Sequence, residues 1–296
     1  MSFRMRKKGI LWLVFLIGAF SLYLAPLWNL FNFARRSSTF DYILLIPMVS
    51  AYFLYEYRRN IFLDSKKLHF FGLAPIALAL MLYAVGVFQD GRLAPPDHLG
   101  LMALSFVVLL VGGLWFFCGI DALKAAAFPM FFLVFITPIP TVVLDKIVSF
   151  LQNWSADVSY VFFRLTGVPM YRDGFLFHLP GLSIEVAKQC SGIRSSIALF
   201  LVSILAGHLF LRCKSRKVIL ALSIVPIAIV KNAVRIVTLS MLAVYVDPRI
   251  LGTIAHRRGG IPIFLLALLL LGCVLLYLRR TESRESFHER ANTPTR

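Results

Sequence analysis

The stretch LGLMALSFVVLLVGGLWFFC, residues 99–118, decides the fold class. A helix rises 1.5 Å per residue, so about 20 apolar residues cross the hydrocarbon of a bilayer. This run has that length. Comparable runs at 9–30, 40–57, 69–88, 122–139, 191–211, 217–245 and 261–278 bring the expected spans to eight. Hydrophobic residues make up 59% of the chain and charged residues 15%, more apolar surface than one water-soluble core could bury. The chain is therefore read as an all-α polytopic membrane protein. Pro26 and Pro129 interrupt the first and fifth runs. The segment 140–166 carries Asp145, Lys146, Asn153, Asp157 and Arg164, and reads as an extracytoplasmic amphipathic helix at the interface. Residues 9–25 have the apolar character of a secretory leader. They are too long, lack a small-x-small cleavage site and are followed by further spans, so an uncleaved first helix is expected.

The formal charge of +17 could suggest a nucleic-acid partner. Topology accounts for it better. With the N-terminus inside, Arg4, Arg6, Lys7, Lys8, Arg58, Arg59, Lys66, Lys67, Lys124, Arg212, Lys214, Arg216, Lys217, Arg279 and Arg280 fall on the cytoplasmic side. That excess follows the positive-inside rule and places both termini in the cytoplasm. The expected location is the inner (cytoplasmic) membrane, with lipid as the surrounding partner and no nucleic acid.

Residues 1–280 read as one transmembrane domain and 281–296 as a polar, disordered cytoplasmic tail. Loops are short, with one exception, Gly167–Gln189 on the outer face. Within it, residues 174–186 alternate apolar and polar around Pro180-Gly181, which predicts a small β-hairpin. No internal repeat or inverted pair of broken helices is visible, which argues against a secondary transporter.

The hairpin leads into Lys188-Gln189-Cys190-Ser191-Gly192-Ile193-Arg194. In this topology Cys118 and Cys213 lie at cytoplasmic helix ends and Cys273 inside the last span, leaving Cys190 as the extracytoplasmic thiol. A helix start and a nearby cation both favour thiolate, the nucleophilic form. Arg194, four residues on, is read as its neighbour on one helix face. The bland alternative is a packed cysteine and an arginine reaching lipid phosphate. Lys231-Asn232-Ala233-Val234-Arg235 lies inside the 217–245 run. Cations within a span cost roughly 2.5–3.5 kcal/mol on insertion scales and tend to face the protein interior. Asn232 and Arg235 share a face, and Arg235 falls near the outer leaflet; structural pairing or snorkelling is the alternative. His256, in the outer loop before the last span, can exchange a proton near neutral pH. Arg257 and Arg258 stand beside it as alternatives, and a solvated loop histidine is the plain reading. Nucleophile, fixed cation and acid/base partner on one side make a minimal acyl-transfer site. No metal pair, phosphate loop or carboxylate dyad competes with it. Glu185 or Asp173 could orient His256 or read a substrate.

Several strings together resemble the exosortase/archaeosortase family. They are Asp41-Tyr-Ile-Leu-Leu-Ile-Pro47, the Pro-rich 128–140 and Val186-Ala-Lys-Gln-Cys190-Ser-Gly-Ile-Arg194-Ser195, then Asn232-x-x-Arg235 and His256-x-x-x-Gly260. The resemblance implies a membrane-embedded cysteine peptidase/transpeptidase, sortase-like in chemistry and without a cofactor. Its substrates would be exported proteins ending in a short Pro-containing motif, a transmembrane helix and a basic cluster. A surface glycan or lipid would accept the product. On the same resemblance Cys190 is the acyl-thioester nucleophile and Arg235 the proton donor. His256 is the transition-state stabiliser or acid/base, and Arg194, Asn232, Ser191 and Gly192 are supports. The second domain that some relatives carry after the last span is expected to be absent. A multi-pass transporter or lipid-group transferase is the runner-up reading.

Overall fold

The computed structural model describes residues 3–61, 68–188, 191–246 and 260–291. The described chain is mostly helical and groups into two compact units, Met1–Leu144 and Asp145–Arg296.

In the first unit, α1 (Phe3–Leu22) and α2 (Leu24–Arg36) are separated by a 60° bend at Tyr23. Pro26 has no N–H to return to Leu22, and its ring crowds that carbonyl, so the break falls one turn ahead of the proline. The Tyr23 side chain is fully buried there. Its hydroxyl bonds Ser105 Oγ, which donates to Ala79 O at 2.7 Å, so a chain of hydroxyls satisfies polar groups inside an apolar bundle. Ser105 belongs to α6 (Pro95–Cys118) and Ala79 to α5 (Leu73–Phe88).

Helices α5 and α6 approach closely because glycines line their seam, as small residues do between membrane helices. A Cβ on Gly72, just before α5, would stand 2.4 Å from the Phe116 backbone nitrogen. Phe116 cannot yield, because backbone rather than a side-chain tip is in the way. Gly72→Ala is therefore expected to cost about 1–3 kcal/mol, read as a lower melting temperature of the detergent-solubilised protein. Gly18→Ala, whose Cβ would meet nothing within 4 Å, is the control and should leave it unchanged.

The expected count of eight spans is not reached. Among the described residues five helices are long and apolar enough to cross a bilayer, and seven if two broken pairs each count as one. The 40–57 run gives only a 3-10 turn and α3 (Ile46–Glu56), with α4 (Arg58–Ile61) after it. Its 11 residues cover about 16 Å at the helical rise, short of the hydrocarbon thickness. The 122–139 run is divided among α7 (Ile120–Ala125), α8 (Ala127–Leu133) and a 3-10 turn. It qualifies only when joined to the next helix, α9 (Thr141–Leu165), across the prolines at 138 and 140.

The second unit carries the body of α9, a small sheet and a helical bundle. The sheet has three antiparallel strands, β1 (Tyr171–Asp173), β2 (Leu176–Leu179) and β3 (Leu182–Glu185), in the order β1-β2-β3. It thus extends the expected hairpin by one strand. Leu179 pairs with Leu182 across Pro180-Gly181, and Gly181 takes a φ of +74° that an L side chain rarely adopts. One sheet face is apolar: Phe177, Leu179 and Val186 pack with Ala156 and Phe163 of α9 and with Ile236. Arg172 pairs with Asp157 at 2.8 Å, pinning the sheet to the same helix.

The bundle comprises α10 (Ile193–Phe210), α11 (Lys214–Leu222), α12 (Ile224–Tyr245) and α13 (Gly260–Ala291). Leu199, Leu220, Ile224, Ala267 and Leu271 form its core. At one end the Glu282 carboxylate accepts from the backbone N–H groups of Arg212 (3.1 Å) and Cys213 (2.6 Å), which no intrahelical carbonyl could satisfy. Arg216 donates to Leu278 O nearby. Helix α13 runs on past Arg280 to Ala291, into the stretch whose composition suggested a tail.

Candidate active site around the sheet-to-helix connection

The expected site residues that the structure describes fall in the second unit, at the start of α10 and on α12. Cys190 and Gln189 lie outside the described residues, as do His256, Arg257 and Arg258.

Upstream, Val186 is buried and held on both sides of its peptide. Its N–H donates to Phe175 O at 2.9 Å, and its carbonyl accepts from Gln152 Nε2 at 2.6 Å. Gln152 sits on the inward side of α9, in line with Ser155 and Ser159, all three buried. The outward side of that helix shows Phe150, Trp154 and Val161. Asp145, Lys146, Asn153 and Asp157 are exposed on this helix as well, so it presents a mixed polar and apolar surface outward.

Downstream, Ser191 donates its N–H to Lys188 O at 3.1 Å, and its side chain is 1% exposed. Gly192 follows with φ +74°, immediately before the first residue of α10. A Cβ there would be 3.1 Å from Asn232 Oδ1, so glycine serves both the left-handed backbone and the close approach of α12. Gly192 and Asn232 therefore meet, with Ser191 next to Gly192 in the chain.

Arg194 departs from the expectation. It was placed with Cys190 at i,i+4 on one helix face, yet α10 begins only at Ile193, after a left-handed glycine. Cys190 precedes the helix, so helical spacing does not relate the two, and Arg194 is exposed. Asn232 and Arg235 do share a helix: Asn232 is 1% exposed and Arg235, three residues later, is half-buried. Glu185 and Asp173 are exposed on the sheet. Among the described residues no three His, Cys, Asp or Glu side chains gather as metal ligands would.

Two contributors were not foreseen. Gln152 holds the carbonyl of Val186, four residues before Cys190 in the chain, and Ser195 receives a hydrogen bond from Lys231. Their signals were present as a lone amide on an amphipathic helix and a serine pair opening an apolar one.

A second thiol bears on any test by labelling. Cys213 is free and exposed, with Sγ 3.1 Å from Ser215 Oγ. That hydrogen bond, aided by the Arg216 and Ser215 backbone N–H groups, holds its pKa below the ordinary thiol value. A lowered pKa puts more thiolate at neutral pH. Ser215→Ala should raise it, slowing maleimide labelling of Cys213 at pH 7 and moving the rate midpoint to higher pH. An unshifted profile would exclude the hydrogen bond as the cause.

Comparison with known proteins gives one family. The family model for transmembrane exosortases matches residues 28–273. No curated protein and no solved structure matches the chain.

Proposed function

From its membership of the transmembrane exosortase family, we propose that this multi-pass membrane protein is a cysteine transpeptidase with Cys190 as nucleophile. The family acts in protein sorting on exported substrates. The substrate's own C-terminal helix packs laterally against the bundle, bringing its short motif to the extracytoplasmic face. The Cys190 thiolate attacks the scissile carbonyl, the C–N bond breaks, and the anchor helix leaves with a protonated amine. The thioester left on Cys190 is then resolved by an acceptor on a surface glycan or lipid, or by water. Arg235 supplies a fixed cation and N–H donors where negative charge develops. A guanidinium stays charged throughout, so the proton exchanged during the cycle is assigned to His256.

The observation that supports this reading best is the organisation of the connection around Cys190. Gln152 fixes one side of it, and Gly192 packs against Asn232 on the other, three residues from Arg235. Both termini are placed in the cytoplasm on the distribution of basic residues.

The thioester provides the test. A reporter ending in a Pro-containing motif, an apolar helix and an Arg/Lys cluster is co-expressed with the protein, and hydroxylamine is added. The expected product is a reporter shortened at the motif and carrying a hydroxamate. Release without hydroxamate, insensitive to thiol alkylation, would exclude an acyl-thioester.

A further inference from the structure

Lys231 is a charged side chain with an unusual setting. It lies on α12 within a membrane-spanning helix and is 4% exposed. Among the described residues no carboxylate forms a salt bridge with it. Its ammonium donates instead to Ser195 Oγ on the first turn of α10. The Ser195 hydroxyl donates in turn to Gly192 O at 3.0 Å, a carbonyl that also accepts from the Ser196 hydroxyl (2.9 Å) and N–H (3.0 Å). A hydroxyl that accepts from a cation becomes a better donor, because hydrogen bonds in series polarise one another. The relay therefore tightens on a single peptide, Gly192, two residues after Cys190. The next residue of α12, Asn232, presses on the same glycine from its Cα side.

Two requirements meet at Gly192. Its left-handed conformation sets the backbone at the entry to α10, two residues after Cys190 in the chain. A buried ammonium is expensive unless its donors are used. A neutral side chain would pack at position 231 more cheaply, so retaining a cation needs a compensating role. We propose that Lys231 is a positioning residue for the reaction: through Ser195 it locks the Gly192 turn and so fixes the direction from which Cys190 attacks. The proposal rests on Cys190 being the nucleophile.

The test is a double-mutant cycle on full-length protein in membranes, with reporter processing normalised to the amount of folded protein extracted. Lys231→Met and Ser195→Ala should each slow processing by about 10- to 100-fold, the loss of one hydrogen bond to a charged group. The double variant should be no slower than the worse single one, because both remove the same link. Ser195→Thr keeps the hydroxyl and should retain activity. The loss should fall on thioester formation, with the reporter still crosslinking to the protein at the wild-type level. Ser195→Ala is a mild change that leaves the fold intact, so wild-type processing by it would overturn the relay even if Lys231→Met fails to accumulate. Multiplicative losses in the double variant would also overturn it. Cys190→Ala runs alongside. If that variant is inactive while Ser195→Ala is not, the relay alone fails; if it processes normally, the nucleophile and the relay fail together.

Discussion

Cys190→Ala is expected to leave the sorting substrate full-length and membrane-anchored, with no hydroxylamine-sensitive adduct. Removing a covalent nucleophile from a site whose parts act as a unit costs on the order of 10⁶ in rate. Immunoblotting of the reporter over a growth curve reads this directly, because cleaved and uncleaved forms differ by a whole anchor helix. Normal processing by this variant would end the thiol mechanism. Cys190→Ser is the less decisive change, since a hydroxyl on the same connection could retain slow turnover. Labelling with a thiol probe should be done on a Cys213→Ser background, because Cys213 is exposed and its thiol is biased towards thiolate.

Arg235→Ala should lower the processing rate by roughly 10²–10³, the usual loss when one donor to a developing oxyanion is removed. Arg235→Lys restores the charge but not the planar fork of N–H groups, so it should recover only part of the rate. The reporter should still associate with either variant. If Arg235→Ala processed at the wild-type rate, the half-buried guanidinium on α12 would have a structural role only, and the cation would have to be sought at Arg257 or Arg258.

Much of the fold was legible because a bilayer imposes length on apolar runs, and five such runs emerge as helical segments long and apolar enough to cross one. The misreadings have one physical source. Hydropathy counts apolar residues but does not tell whether the backbone stays helical through them. In 40–57 the regular helix begins only at Ile46, beside Pro47; in 122–139 Pro129 and Pro138 interrupt the run, and neither run gives a helix of full length. The small sheet was visible from the Pro180-Gly181 turn, while β1 was not, since three residues are too few to show alternation.

The candidate site divides in the same way. Asn232 and Arg235 could be placed from spacing alone, because a helix carries both. Arg194 could not, because a single left-handed glycine at 192 broke the spacing on which its placement relied. Gln152 and Ser195 were beyond reach for a further reason: each acts on a partner more than 30 residues away, a relation that no local pattern records.

The carboxylate of Glu282 gives the bundle a timetable. It is the partner of the Arg212 and Cys213 N–H groups at the start of α11, yet it follows them by 70 and 69 residues. While the chain is being synthesised, the entry to α11 and α12 stays without its acceptor until nearly the whole of α13 has been made. A helix made after them thus latches the pair of helices that carries Arg235. In a newly made chain the start of α11 would be completed only after α13 had followed it.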